Sequence, residues 1–208
     1  MLKTKSNPFY ALLILAICLF LSACSSPVPK EATTYIAKIS NAPDSARVGI
    51  VIEDGKFVVY ICSLDDAFNQ STARWFAGTL EGDGTVSGLS PDGVRVNGSI
   101  IKTSFTGIIT NLQGQVITFR GSSVPAGGPV GLYRGTGNYN GQEVILGVIV
   151  DSDDVFVSTV QVQDRVEFIT PISSSPIYLT NSNIKVTIGE PGQKFEVFLI
   201  EGVKDLEF

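Results

Sequence analysis

The chain has 208 residues, a formal net charge of −5 and no histidine. The absence of histidine excludes the Ser-His-Asp and Cys-His nucleophile systems and the usual zinc, copper and non-haem iron sites. The acidic balance argues against nucleic acid as a partner.

The first element in chain order is an N-terminal segment with the features of a secretory signal. Lys3 and Lys5 precede an apolar stretch from Phe9 to Leu21, and small residues follow it. The apolar run is about 15 residues long, short of the roughly 20 that a helix needs to span a bilayer. We therefore predict that residues 1–23 are a signal peptide, which is removed.

The signal ends in Leu21-Ser22-Ala23-Cys24, which resembles the lipobox of bacterial lipoproteins. The resemblance implies that the Cys24 thiolate takes a diacylglyceryl group and that the mature chain begins there. Two or more acyl chains, such as palmitate, hold a protein stably to a membrane. The protein is thus expected to be anchored by lipid to the cell membrane or the outer membrane, facing the periplasm or the exterior.

Residues 24–32 follow as a lipidated tether containing Pro27 and Pro29. Its last eight residues, fully extended, would reach at most about 28 Å. Loss of Lys3 and Lys5 with the signal leaves 13 basic residues against 20 acidic ones, a net charge of about −7. Because Cys62 is then the only cysteine of the domain, an intrachain disulfide is excluded and Cys62 is predicted to be a small buried apolar residue.

Residues 33–208 predict an all-β domain, an antiparallel meander of about twelve short strands that forms a barrel or a sandwich. Turn signals such as Asp54-Gly55 and Asn140-Gly141 separate runs rich in β-branched and aromatic residues. The best helix candidate is Ser63–Gln70, where Ser63 could be the cap and Asp65 and Asp66 would lie in the first turn; a loop is an equal alternative. The predicted strands are Arg47–Glu53, Lys56–Ser63, Arg74–Leu80, Thr85–Leu89, Val94–Ile101, Ser104–Thr110, Gln115–Gly121, Val130–Thr136, Glu143–Asp151, Val155–Gln161, Arg165–Thr170, Ile184–Ile188 and Phe195–Glu201.

The strands differ in how apolar residues alternate along them. Val94 and Val96 alternate with polar residues, which indicates a strand with one solvated face. By contrast, Phe57–Ile61, Val144–Val150 and Phe195–Ile200 are apolar on both faces. We expect these strands in the centre of a sheet, covered on both sides or in an interface.

Two parts of the domain resemble each other. The segment from Tyr35 to Asp54 aligns with the segment from Tyr133 to Ser152, with Gly49 matching Gly147 at the same offset of 98 residues. The pattern predicts two related β units, roughly residues 33–125 and 131–208. The alternative is chance likeness between hairpins built of Val, Ile and Gly.

Aromatic residues supply one set of candidate site residues. Trp75, Tyr60 and Tyr133 could form a platform on which a sugar stacks, or they could be core residues. Consecutive residues on a strand point to opposite faces, so either Trp75 or Phe76 points outward. Around Trp75 and Tyr133 the sequence is similar to uncharacterised bacterial secreted β domains, a resemblance that implies no activity. The arginines that flank apolar strand positions, Arg74, Arg120 and Arg134, could meet at one site or be surface charges.

Carboxylates supply the other set. Asp151, Asp153 and Asp154 lie at a predicted hairpin tip and could provide oxygen ligands for calcium. Nothing nearby completes a known calcium loop, and Asp is also an ordinary turn residue. The sequence therefore predicts solvated turn residues here, with calcium as the weaker alternative, and it predicts no cofactor.

These observations lead to two main hypotheses. The first is a non-enzymatic binding, scaffold or envelope-assembly module, held to the membrane through Cys24, with an envelope protein or glycan as partner. The alternative is a cell-envelope glycan hydrolase that uses two carboxylates across a cleft. A third hypothesis is an apolar ligand inside a β-barrel, as in lipocalin-type barrels.

Overall fold

The structure is a computed structural model, and it describes residues 29, 31–151, 156–162, 168–169, 172–180, 182–188, 192–203 and 206. The signal segment, Cys24, Asp153 and Asp154 lie outside the described residues. In the part of the chain that is described, no helix is both long enough and apolar enough to cross a membrane.

The described residues form antiparallel β-strands and one short helix, α1 (Asp66–Thr72). The strands are β1 (Thr33–Ile39), β2 (Arg47–Glu53), β3 (Lys56–Cys62), β4 (Trp75–Thr79), β5 (Thr85–Leu89), β6 (Arg95–Ile101), β7 (Ser104–Thr110), β8 (Val116–Ser123), β9 (Gly131–Tyr139), β10 (Gln142–Val150), β11 (Phe156–Val162), β12 (Phe168–Ile169), β13 (Ile172–Thr180), β14 (Asn183–Ile188) and β15 (Gln193–Leu199).

These strands make two sheets with matching strand order. The first has eight strands in the order β4-β3-β2-β1-β8-β7-β6-β5, and the second has seven in the order β12-β11-β10-β9-β15-β14-β13. In each sheet the strands that come first and last along the chain are neighbours at the centre: β1 pairs with β8, and β9 pairs with β15. The predicted all-β class is confirmed, with one sheet nearly closed into a barrel and the other a half-barrel. We call β1–β8 with α1 the first unit, and β9–β15 the second unit.

Most of the predicted strands are present, and several bounds agree to the residue, among them β2, β5 and β7. Strands β1 and β13 were not among the predicted strands, and β13 begins with a Ser-rich sequence that carries a weak apolar signal. The predicted helix exists, but its cap is Asp65 and not Ser63. Asp65 Oδ1 accepts a hydrogen bond from the Phe68 amide at 2.7 Å, which satisfies a donor of the first helical turn.

The interior of the first unit is filled by side chains. The edge strands β4 and β5 come together where Phe76 packs against Gly88, whose missing Cβ leaves room for the ring. Inside, Tyr35, Phe105 and Phe119 make edge and tilted ring contacts, and Phe68 of α1 joins the same core. An eight-stranded barrel has an interior just wide enough for side chains. This packing overturns the hypothesis of an apolar ligand inside the first unit.

The two units pack against each other through the outer faces of matching strands. Ile36, Val51 and Val58 of the first unit share one apolar cluster with Leu132 and Ile149 of the second. Two of the strands that the sequence showed as apolar on both faces, β3 and β10, are covered on one side by their own core and on the other by the partner unit, so the expectation is confirmed for them. It is wrong for the third, β15, whose Phe198 is 54% exposed on the outer face.

Glycines at matching positions permit this close approach. A Cβ on Gly147 would lie 2.1 Å from Cε1 of the Tyr60 ring, and a Cβ on Gly49 would lie 3.3 Å from the Ile149 side chain. The Tyr60 ring thus rests directly on the backbone of β10. Its hydroxyl donates to the Thr159 carbonyl oxygen at 3.4 Å, which ties β3 to β11.

Acidic residues at matching positions also make hydrogen bonds from one unit to the other. Asp151, which follows β10, accepts a hydrogen bond from Arg47 Nε of β2 at 2.6 Å. Glu53, at the equivalent end of β2, accepts a hydrogen bond from the Val203 amide at 3.0 Å. The two units are therefore joined by polar contacts as well as by the apolar cluster.

Candidate functional site

The second unit carries a row of polar and aromatic side chains on its outer face. The strand register places Thr159, Gly147, Arg134, Phe198 and Asn183 side by side across β11, β10, β9, β15 and β14. Residues in register across antiparallel strands point to the same face. The neighbouring positions on this face, Val157, Ile149 and Leu132, belong to the apolar cluster between the units. One part of the face is therefore covered by the first unit, and the rest extends beyond it. We call these five residues the polar row.

Arg134 occupies the centre of the polar row. On one side its register neighbour is Gly147, which is covered by the Tyr60 ring, and on the other it is Phe198. Burial lowers the pKa of the Arg134 guanidinium below its ordinary value, although it remains a cation at neutral pH. A cation thus lies between a buried aromatic stack and an exposed aromatic ring.

Three buried oxygen atoms on this face have no hydrogen-bond partner among the described residues: Thr159 Oγ1, Gln161 Oε1 and Asn183 Oδ1. Gln161 lies two residues after Thr159 on β11 and points to the same face. Buried polar atoms in folded proteins are nearly always paired with protein, water or a ligand. Oxygens of this kind accept hydrogen bonds from O–H or N–H donors, and the described residues supply none to them.

A cleft of about 350 Å³ opens beside Arg134 and Phe198, between β9 and β15. Phe198 is 54% exposed, an unusual state for so large an apolar ring. Two carboxylates also line this β9–β15 cleft, and one of them, Glu196, lies 3.8 Å from the Lys185 ammonium. The side chains that give the cleft its chemistry are Arg134, Thr136, Glu196, Phe198, Glu201 and Leu206.

The aromatic residues singled out in the sequence lie in different places. Tyr60 and Tyr133 are fully buried, as core residues would be, and the Tyr133 hydroxyl donates to the Pro129 carbonyl at 2.6 Å. Trp75 is the outward member of the Trp75/Phe76 pair, and its half-buried ring stacks on Tyr60 with centroids 4.2 Å apart. No exposed platform unites the three rings. Sequence reasoning did not select Phe198, the exposed aromatic of the cleft.

The three arginines also separate. Arg74 is 2% exposed, donates to the Ala73, Asn69 and Gln70 carbonyls at the end of α1, and pairs with Asp92. It therefore joins the helix to the turn between β5 and β6. Arg120 is exposed on β8, far from the cleft in the strand order. Of the three, Arg134 is the arginine that lies at the candidate site.

The described carboxylates form no recognisable metal centre. Asp151 is buried in its ion pair with Arg47, which occupies one of its oxygens. Among the described residues, no group of three or more Cys, Asp or Glu side chains is placed to hold a metal ion. Asp153 and Asp154 lie outside the described residues, so the calcium alternative stays a prediction.

Comparisons with known proteins add little. No protein-family model matches the chain, and no curated protein sequence matches it. Among solved structures, the chain is similar to a Nitrosomonas europaea protein that carries the provisional name AttH. The two share 12% sequence identity over 86% of this chain and 83% of that one, with a TM-score of 0.23. So loose a superposition carries no argument about function.

Proposed function

We propose that this protein is a lipid-anchored binding module of the bacterial cell envelope, and that the polar row and the β9–β15 cleft bind a neutral glycan. The observation that carries the ligand assignment is the set of buried oxygens without a donor among the described residues, Thr159 Oγ1, Gln161 Oε1 and Asn183 Oδ1, on the same face as an exposed aromatic ring. Sugars combine many O–H donors with apolar C–H faces that stack on aromatic rings. Few other ligands offer both.

The arrangement of charges fits a neutral ligand. Arg134 supplies N–H donors, while Glu196 and Glu201 supply acceptors on the cleft wall. Sugar hydroxyls both donate and accept, so they can pair with either kind of group. Thr159 and Gly147 lie beneath the first unit, so the accessible part of the row runs from Arg134 through Phe198 to Asn183 across three strands, about 10 Å, which leaves room for a short stretch of sugar.

The membrane assignment rests on the lipobox Leu21-Ser22-Ala23-Cys24. One structural contact supports a short connection to the anchor. The Asp54 amide donates to the Pro29 carbonyl at 3.1 Å, so the chain is already held against the β2–β3 turn five residues after Cys24. Five extended residues reach at most about 18 Å, and the first unit would therefore lie close to the bilayer.

The anchor is tested by replacing Cys24 with Ser and following the protein in membrane and soluble fractions. We expect the native chain in the membrane fraction with the mass of its acyl groups, and the Cys24→Ser chain without that mass and released from the membrane after signal removal. Retention of unmodified native protein in the soluble fraction would contradict the lipid anchor.

The ligand is tested with the full-length protein in detergent and isolated cell-wall glycan. We expect Phe198→Ala and Gln161→Leu each to weaken retention on the glycan about tenfold, the scale of one lost stack or hydrogen bond. The matched control is Leu64→Ala, which removes a side chain that is 47% exposed on the first unit, outside the cleft. Equal retention of Phe198→Ala and Leu64→Ala would refute the assignment.

The hydrolase alternative has one observation in its favour, because Glu196 and Glu201 line the same cleft. It predicts that the glycan is shortened during the same incubation and that Glu196→Gln or Glu201→Gln stops this. Intact glycan with retained binding would reject the hydrolase and leave the binding module.

A further inference from the structure

We infer that the first unit carries a second binding surface, for an anionic polysaccharide, on the outer face of β5–β8. The outer face of the first sheet is divided in two. Its β1–β3 half is buried beneath the second unit, as Ile36, Val51 and Val58 show. Its β5–β8 half is uncovered, and its strands alternate between buried and exposed residues. We call this uncovered half the open face.

The register arranges the open face in three parallel lines of side chains. Leu89 and Arg95 begin the first line, Asn97 and Ile108 lie in the second, and Arg120 lies in the third. Between these residues lie hydroxyl groups, which can donate to anionic oxygens. The hydroxyl-bearing side chains in these three lines are Thr85, Ser87, Ser99, Thr106, Thr110 and Thr118.

The charge of the open face differs from that of the whole chain. Strands β5, β6, β7 and β8 contain two arginines and no Asp or Glu, although the chain has 20 acidic residues against 15 basic ones. Both Arg95 and Arg120 are exposed. The exposed Lys38 of β1 lies next to Arg120 in the register and extends the same positive side. The complementary partner is negatively charged.

The spacing of the cations favours a polymer. Arg95 and Arg120 are separated by two strands across the sheet and four residues along it, roughly 16 Å. One phosphate or carboxylate cannot contact both side chains at that separation, whereas a polysaccharide with an acidic group on each repeat can. The hydroxyl lines between the arginines would then meet its neutral parts.

The size of the open face argues against a globular protein partner. Four strands of about seven residues cover roughly 19 Å by 24 Å, on the order of 450 Å². Stable protein interfaces bury about 800 Å² on each partner. A single extended glycan chain needs only a strip of this width.

The position of the tether argues against membrane lipid as the occupant. Pro29 is held at the β2–β3 turn, which lies at one end of the first unit. The strands of the open face run away from that end, since β6 and β7 turn there at Lys102 while Arg95 lies at the opposite end of β6. In a unit anchored by that end, the strands would run roughly along the bilayer normal. The open face would then point sideways, its plane parallel to that normal, where polymers of the envelope can reach it.

The test measures binding of the full-length protein in detergent to alginate, a carboxylated polysaccharide, with neutral dextran as the control polymer. We expect binding to alginate alone, weakening steeply as salt shortens the screening length from about 10 Å at 0.1 M to about 3 Å at 1 M. The double variant Arg95→Gln/Arg120→Gln should lose about tenfold in affinity. The variant Thr118→Glu keeps both arginines, adds an acid to the open face, and should lose a similar amount.

The matched control is Lys56→Gln/Lys194→Gln, which removes the same charge at exposed positions elsewhere. Equal loss in this control would overturn the inference, because it would show an effect of net charge alone. Unchanged binding in the arginine variant would also overturn it. Competition by phosphatidylglycerol vesicles, but not by phosphatidylcholine vesicles, would reassign the face to membrane lipid. Phe198→Ala should leave alginate binding unchanged, which separates this surface from the β9–β15 cleft.

Discussion

Arg47 and Asp151 form a buried ion pair that joins the two units. Their Nε and Oδ2 atoms are 2.6 Å apart, and the side chains are 5% and 7% exposed. Arg47 Nη1 also donates to the Asp44 and Ala46 carbonyls, so this nitrogen is used within its own unit. The pair thus fixes the end of β10 against the start of β2.

Breaking this pair from one side should be costly. Arg47→Met or Asp151→Asn leaves the other group buried without its partner, and we expect a loss of about 3–5 kcal/mol in the free energy of unfolding, measured by urea titration. The double variant Arg47→Met/Asp151→Leu should recover most of this loss. As a control, Lys185→Met removes a partly exposed cation 3.8 Å from Glu196 and should cost less than about 1 kcal/mol. Additive losses in the double variant would contradict a direct coupling.

The close contact between Gly147 and Tyr60 gives a second prediction. Gly147→Ala would place a Cβ 2.1 Å from the Tyr60 ring, so the units must move apart or the ring must turn. Overpacking of this kind costs about 1–3 kcal/mol or more, seen as a lower urea midpoint. Gly82→Ala, where a Cβ meets nothing within 4 Å, is the control and should change little. In a Tyr60→Leu background the cost of Gly147→Ala should fall; an unchanged cost would show that the ring is not the obstacle.

Asp92 gives a prediction about pH. Hydrogen bonds from Arg74 hold the pKa of Asp92 below its ordinary value of 3.8. Partial burial raises this pKa, but the hydrogen bond from Ser90 lowers it further. The unfolded chain therefore binds a proton more readily than the folded one. This stabilisation is present above about pH 4 and is lost as the pH falls through the folded pKa. Asp92→Asn should lower the free energy of unfolding by on the order of 1 kcal/mol at pH 7, with the difference from the native chain narrowing at acid pH. A difference that stays constant from pH 7 to pH 3 would contradict this, and Glu143→Gln serves as an exposed control.

Cys62 reports on the interface between the units. Burial raises the pKa of its thiol well above the ordinary value, and Sγ lies 3.8 Å from the Val157 carbonyl oxygen of the second unit. The reactive thiolate is thus scarce as long as the units stay together. In the Cys24→Ser mature chain we expect iodoacetamide to leave Cys62 unmodified in buffer and to alkylate it in urea, read as a mass increase. A cysteine placed at exposed Ser87 should react in buffer. Rapid native alkylation of Cys62 would show that the units separate readily.

Local sequence patterns accounted for much of the first unit. Asp54-Gly55 predicted a tight hairpin, and both residues have positive φ values, 50° and 78°, as a type I′ turn requires. The β2 bounds followed from a run of β-branched residues between turn signals. Strand β13 was missed because Ser173, Ser174 and Ser175 give no apolar pattern, although the strand pairs with β14.

The candidate site was much less accessible to sequence reasoning. Phe198 belongs to a strand predicted to be apolar on both faces, and nothing local shows that its outer face emerges beyond the covered part of the interface. Asn183 and Thr159 are 24 residues apart in the chain, and they meet in one row only because β9 pairs with β15. One signal was available: Glu196 alternates with Phe195 and Val197, which marks the outward face of β15.

The sequence by itself determined the all-β class, the turns, the buried state of Cys62 and the alignment of the two segments that form β1–β2 and β9–β10. Those features depend on local propensity and alternation, which nearby residues set. The tertiary structure decided which apolar faces would meet. It placed the outer faces of β2 and β10 against each other because Gly49 and Gly147 allow close approach, and it thereby left the Phe198 end of the polar row and the open face uncovered. Whether an apolar or polar strand face is buried depends on the partner it finds, and that partner lies about a hundred residues away along the chain.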